Sequence, residues 1–128
     1  MDKPHKKLDL WRAAMELAVT IYQVTDLFPR EERYGLTDQI RRASSSVPSN
    51  IAEGAGRQTR KEFINYLHIA QGSLSELDTH LELARRLGYL GQDSWTALDG
   101  KVERIDKMLS GLIRHQRGKG VKRVVVRS

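Results

Sequence analysis

The sequence predicts an all-α protein, an antiparallel up-down-up-down four-helix bundle. Four stretches of the 128-residue chain repeat apolar residues at the three-and-four spacing of a helical face. Short segments with Pro29, with Gly54 and Gly56, and with Gly88 separate these stretches. Because each amphipathic helix must bury its apolar stripe against another, four helices with short connections pack most simply as such a bundle.

The first helix is predicted over about residues 8–27. Its broad apolar stripe includes Leu10, Ala14, Leu17 and Ile21. It ends at Phe28, because the residue before a proline avoids the helical region of backbone conformation.

The second helix is predicted over about residues 35–53 and is unusually rich in serine, alanine and glycine. Small residues allow a neighbouring helix to come close, but serine and Pro48 are poor helix formers. Tertiary packing must therefore hold this stretch in a helix. We accordingly place the second helix at the centre of the fold.

The third helix is predicted over residues 59–87, from a Thr59-x-x-Glu62 capping box to a stop at Gly88. The fourth begins near Asp93 or Ser94, and its apolar face continues to Ile113. The fourth helix also contains Gly100 and Gly111. These glycines either mark close contacts between helices or simply weaken the helix.

The net charge of +6 is concentrated at the two ends of the chain. Residues 1–7 carry +2 and residues 116–128 carry +5, whereas residues 8–115 carry −1. We therefore divide the chain into a basic N-terminal arm (1–7), a four-helix bundle (8–115) and a basic C-terminal tail (116–128). Basic tails are typical of nucleic-acid-binding arms and equally of solubilising segments.

Several function classes find no support in the sequence. The chain has no cysteine, no apolar run near the ~20 residues that span a bilayer, and no signal-peptide core, so we expect a cytoplasmic protein without membrane contact. Glu76 and His80 share a helical face but read as a surface pair, and no Glu-x-x-His pattern is present. No nucleophile–base pattern is evident either. We therefore predict no metal, no cofactor and no enzymatic activity.

Two polar residues near the end of the second helix need partners. A carboxylate at Glu53 is not favoured by the helix dipole there, and Asn50 lies three residues before it. The partners considered for Glu53 are Gln39, Arg41, Arg42 and Arg57. The polar group is either a network within the bundle or a subunit interface, or else a pocket for a ligand or partner.

Cations are the candidate functional residues. One group follows the second helix and the loop after it, and the other is in the tail; the two comprise Arg41, Arg42, Arg57, Arg60, Lys61, Lys119, Lys122 and Arg123. They are either a solvated face with salt bridges to neighbouring acids or a phosphate-binding surface. Arginine suits phosphate through its bidentate fork.

The run GLTDQIRRASSSVPSNIAEGAGR, with EFINYLHIAQGSLSEL and RRLGYL after it, resembles the proteins encoded in intervening sequences of bacterial large-subunit ribosomal RNA genes. It is also similar to the accessory variability determinant protein of diversity-generating retroelements. The resemblance covers residues 8–112 and implies an antiparallel four-helix bundle that assembles as a ring-like homopentamer. Gln39, Asn50, Glu53 and Gly54 belong to the shared signature, in a structural or interface role.

Together these observations predict a non-enzymatic, oligomeric binding or scaffold protein. Its partners would be other copies of itself and RNA or a nucleoprotein, engaged through the basic surface and the tail. The alternative is a protein-interaction or structural assembly module with no nucleic-acid role. The neutral body of the chain and the lack of an aromatic stacking platform favour that alternative.

Overall fold

The computed structural model describes the backbone of residues 3–127 and the side chains of residues 3–6 and 8–118. The helices are α1 (Asp9–Thr25), α2 (Leu36–Ala55), α3 (Arg60–Arg86) and α4 (Gln92–Arg127), with short 3-10 helices at Pro4–Lys7 and Arg30–Glu32. No β-strand occurs between residues 3 and 127. The all-α prediction and its four helices are thus confirmed.

One hydrophobic core joins the four helices. Consecutive helices pack against each other and α4 packs against α1, whereas no Cα atoms of α1 and α3, or of α2 and α4, lie within 8 Å of each other in the described chain. The deepest side chains come from every helix and include Ile21, Ile40, Leu67, Leu77 and Leu109. Each amphipathic stripe is therefore buried against its two neighbours.

The contact between α2 and α3 is the most extensive in the molecule. At its end, a Cβ atom added to Gly54 would lie 2.7 Å from the Cβ of Tyr66 and 3.0 Å from Cδ1 of Phe63. Only glycine fits such an approach, so the small residues of α2 do admit a neighbouring helix. Gly100 and Gly111 differ, because added Cβ atoms would meet nothing closer than Nη2 of Arg114, 3.9 Å from the one at Gly111.

The helix ends follow the signals in the sequence. The Thr59 hydroxyl accepts a hydrogen bond from the Glu62 amide at 3.1 Å and donates to the Glu62 carboxylate at 2.9 Å, so the predicted cap begins α3. Gly88 ends the α3 region with a φ of 81°, in the left-handed region that favours glycine.

The two connections at the far end of the molecule are tied together. The Tyr89 hydroxyl donates to the Glu32 carboxylate at 2.9 Å, and the Tyr89 ring lies 5.7 Å from the ring of Phe28. This hydrogen bond, with partial desolvation, raises the pKa of Tyr89 above its ordinary value. The adjacent Leu90 is buried, so the segment after α3 packs on the core.

Helix α4 continues past residue 115, where the predicted bundle ends, and runs to Arg127. Its last buried residue among the described side chains is Ile113, and Arg117 contacts His68 of α3 at 3.0 Å. Between residues 114 and 118, no side chain of α4 is buried. No helix in the described chain is long and apolar enough to cross a bilayer.

Candidate nucleic-acid interface

The Arg41 side chain donates three hydrogen bonds to the end of α1. Its Nε donates to the Thr25 hydroxyl at 2.8 Å, and its Nη2 donates to the Asp26 carboxylate at 2.9 Å and to the Tyr22 carbonyl at 3.2 Å. The guanidinium also covers the Tyr22 ring, 4.7 Å from the ring centre. Arg41 therefore anchors α2 to α1, and its donors are largely used.

Arg42 and Arg57 pair with acids one helical turn away. Arg42 lies 3.0 Å from the Asp38 carboxylate, and Arg57 lies 3.5 Å from that of Glu53. Arg57 also donates to the Tyr66 hydroxyl at 2.7 Å. Of the partners considered for Glu53, the structure selects Arg57.

Asn50 belongs to a polar network between α2 and α3. Its amide donates to the Ser46 carbonyl at 2.8 Å and to the Ser46 hydroxyl at 3.0 Å. The Ser46 hydroxyl in turn lies 2.8 Å from that of Ser73 on α3. Glu53 pairs with Arg57 and is not part of this network, and the side chain of Gln39 is exposed.

Arg60 and Lys61 are exposed in the first turn of α3. Neither side chain has a hydrogen-bond or ion-pair partner among the described residues. These two cations therefore remain available to an external anion. The tail residues Lys119, Lys122 and Arg123 lie in α4, but their side chains are outside the described residues.

Three segments that are distant in sequence meet at one end of the molecule. The contact between Arg117 and His68 brings the later part of α4 beside the first half of α3. The 3-10 helix Pro4–Lys7 contacts α2. Arg41, near the start of α2, pairs with the end of α1, about 20 Å along that helix from its start. The start of α1 and the N-terminal segment before it therefore lie beside the later half of α2.

We call this region the basic end: residues 3–12, 53–62 and 114–118. It holds nine lysines and arginines against three acids, and the four further cations of residues 119–127 follow directly along α4. Residues 13–52 and 63–113 carry a net charge of −3. Positive charge is therefore concentrated at one end of the molecule. The net charge of residues 8–115, which is close to zero, does not reveal this separation.

The flank between α3 and α4 is acidic. Asp78, Asp99, Glu103 and Asp106 line a surface groove of about 370 Å³ above Leu74 and Val102. Burial, and then repulsion from Asp99, Glu82 and Asp106, raises the pKa of Asp78 above its ordinary value. The groove is a region of negative potential, which a polyanion would avoid.

Helix α1 presents an apolar strip to the outside, which we call the α1 face: Met15, Val19 and Tyr22. These side chains are 40%, 55% and 45% exposed. They border a shallow groove of about 440 Å³ floored by Ala18 and closed on one side by Arg41. Because these residues line one groove, the α1 face is a candidate protein contact surface.

No group of three or more potential ligand side chains that could hold a metal is found among the described residues. Glu76 and His80 approach to 3.6 Å, and the His80 side chain is only 18% exposed, so the pair is less exposed than predicted.

The basic end includes residues that the sequence patterns did not single out. Lys3 and Lys6 of the N-terminal arm and Arg114 and Arg117 of α4 are exposed. The positive charge of the two chain ends in the sequence was enough to indicate these residues. What the sequence could not show is that the N-terminal 3-10 helix contacts α2 and that Arg117 contacts α3.

Comparison with known proteins gives the following. The sequence profile described as 23S rRNA-intervening sequence protein matches residues 6–111. No curated protein matches the chain. A crystal structure from Bacteroides thetaiotaomicron, of a protein with unknown function from the S23 ribosomal protein family, is 28% identical with a TM-score of 0.75. That match covers 81% of this chain and 97% of the other.

Proposed function

The chain belongs to the 23S rRNA-intervening sequence protein family, and from this we propose that it is a non-enzymatic, cytoplasmic binding scaffold that engages RNA through its basic end. The observation that carries the proposal is the convergence of three basic segments at one end of the fold. Exposed cations there, among them Arg60 and Lys61, would contact phosphates without reading base sequence.

The test is RNA affinity measured against salt for two variants with the same loss of charge. Arg60→Gln with Lys61→Gln removes two unpaired cations of the basic end. Lys101→Gln with Arg104→Gln removes two exposed cations from the side of α4. We expect only the first pair to weaken binding, and to reduce the log–log salt slope by roughly 1.5 if both cations contact phosphates. Equal losses in both variants would contradict the placement of the site.

We further propose that the four helices form an antiparallel up-down-up-down bundle. Contacting pairs support this, since residue numbers fall along α3 as they rise along α2. Ser46 meets Ser73, whereas Gly54 lies against Tyr66. Between α3 and α4 the same trend joins Gln71 to Ser110 and Arg85 to Trp95.

We also propose that the chain assembles as a ring-like homopentamer, which the family resemblance implies. The α1 face supports self-association, because its apolar side chains remain about half exposed in the single chain. Val19→Glu should lower the mass measured by analytical ultracentrifugation, since it would place a charge in the contact. Ala97→Glu, at an exposed position of α4, is the matched control. An unchanged mass for Val19→Glu would exclude this face as the contact.

The second candidate function is a protein-interaction or structural assembly module with no nucleic-acid role. The α1 face favours it, since an apolar strip suits a protein partner better than a polyphosphate. Failure of the oligomer to bind RNA even at low salt would select this candidate. We also propose that the chain is similar to the retroelement accessory protein. That similarity does not discriminate between the two candidate functions.

A further inference from the structure

We propose that the basic end binds the backbone of double-stranded RNA and discriminates against unpaired strands. This inference rests on the proposed function, and it assigns the form of RNA that the site accepts. It follows from the aromatic rings, the layout of the cations and the position of the acidic groove.

The tryptophan, tyrosine and phenylalanine rings in and next to the basic end each contact another part of the protein. Proteins that hold single strands stack bases on exposed aromatic faces. Here the Trp11 ring meets the edge of His5 at 4.9 Å, and the Tyr66 ring lies beneath the Arg57 guanidinium at 4.9 Å. Phe63 packs against α2 at Gly54. Each described tryptophan, tyrosine and phenylalanine ring at this end is therefore in contact with a neighbouring side chain or helix, whereas the imidazole of His115 is exposed.

The other aromatic rings lie away from the basic end. Trp95, Phe28 and Tyr89 pack at the opposite end, where Trp95 is covered by Arg85 at 4.4 Å. Tyr22 lies under Arg41 near the end of α1. Tyr34, which is 88% exposed, belongs to the connection between α1 and α2, also far from the cations.

The cations form a broad array on fixed elements. They come from the N-terminal segment, the connection between α2 and α3, and α4, and neighbouring helix axes in such folds lie about 8–10 Å apart. An array of this width meets the two phosphate rows of a duplex, whereas a single strand needs a groove that follows one backbone. The exposed amide of Gln58 lies between Arg57 and Arg60 in the sequence, and that of Asn65 lies one helical turn after Lys61. Both amides suit the 2′-hydroxyls of a shallow minor groove.

The acidic groove limits where the duplex can lie. Asp78 is 17 residues beyond Lys61 on α3, about 25 Å along the helix axis. A duplex extending along the side of the bundle would approach the carboxylates of the groove, so repulsion confines it to the end. A rigid duplex can contact the basic end without approaching the acidic groove. A flexible single strand gains no advantage from this arrangement of charges.

The experiment compares three 20-nucleotide probes by fluorescence anisotropy with the full chain: an RNA duplex, a single-stranded uridine RNA and a DNA duplex of the same sequence as the RNA duplex. Titrations are run at 50 and 200 mM salt. We expect the RNA duplex to bind at least tenfold more tightly than the single strand and severalfold more tightly than the DNA duplex. Gln58→Ala with Asn65→Ala should reduce the preference for RNA over DNA and leave the salt slope unchanged.

The outcomes separate the inference from the function it rests on. Equal or tighter binding of the single strand would overturn the duplex assignment and leave RNA binding intact. Equal binding of the DNA duplex would overturn the assignment to RNA. Absence of binding to every probe at 50 mM salt would reject the proposed function itself.

Discussion

Two glycines in helical positions show how differently one residue type can act. Gly54 is required by contact, because a Cβ there would lie 2.7 Å from the Cβ of Tyr66. Gly72, in the middle of α3, has no atom within 4 Å of the same added Cβ. The first glycine permits two helices to pack, whereas the second only lowers helix propensity.

Gly54→Ala should therefore destabilise the fold and Gly72→Ala should stabilise it. We expect a loss of about 1–3 kcal/mol from overpacking at Gly54 and a gain of up to about 1 kcal/mol from helix propensity at Gly72. Urea denaturation of both variants measures the two effects. A neutral Gly54→Ala would mean that α2 and α3 separate at little cost.

Arg41 and Arg42 are adjacent arginines with different surroundings. Arg41 makes three polar contacts to the end of α1, whereas the side chain of Arg42 is 79% exposed and has one ion pair along its own helix. Arg41→Gln should cost about 1–3 kcal/mol and Arg42→Gln about 0.5 kcal/mol or less. Thermal and urea unfolding test this, and similar losses would contradict the anchoring role of Arg41.

At the scale of elements, α3 and α4 pack with their acids facing one another. Asp78 lies between Asp99 and Asp106 of α4 and Glu82 of its own helix. Like charges this close oppose the pairing of the two helices. Packing of Leu74, Val102 and their apolar neighbours holds the pair together despite that repulsion.

Asp78→Asn should raise the melting temperature at pH 7, since it removes a charge that burial and then repulsion from the neighbouring acids disfavour. The pKa of Asp78 is higher in the folded chain than in the unfolded chain, so its charge costs stability above that pKa and the cost disappears as pH falls through it. The gain should thus shrink toward pH 4. Asp93→Asn, exposed in the first turn of α4, is the control. A gain that is independent of pH would rule out the repulsion.

At the scale of the whole molecule, charge is separated along the long axis. The basic end gathers cations from the first, middle and last parts of the chain, while the acidic groove lies along the side of α3 and α4. Helix α4 continues this polarity as it extends to Arg127.

A chain ending at Gly118 tests how the extension contributes. The truncation removes Lys119, Lys122, Arg123 and Arg127 and keeps every described cation of the basic end. We expect weaker RNA binding that persists at low salt, with the log–log slope reduced by roughly 3 if all four cations contact phosphates. Complete loss of binding would show that the extension alone is the site, and an unchanged slope would exclude it.

The sequence predicted most of the fold because its signals are local. Apolar spacing, the Thr59 cap and the stop at Gly88 depend on residues within one or two helical turns, and all three match the structure. The candidate site was only partly predictable. Arg41 and Arg60 look alike in sequence, but one is used by contacts to α1 and the other has no partner in the described chain.

The sequence by itself determined the helical class, the four helices and the excess of cations at the chain ends, since periodicity and charge are properties of order along the chain. The tertiary structure alone decided which cations are neutralised and which lie together. It brought the N-terminal segment, the connection after α2 and the later part of α4 to one end, and it placed four acids along one flank. Electrostatic potential depends on distances through space, and only packing of the helices sets those distances.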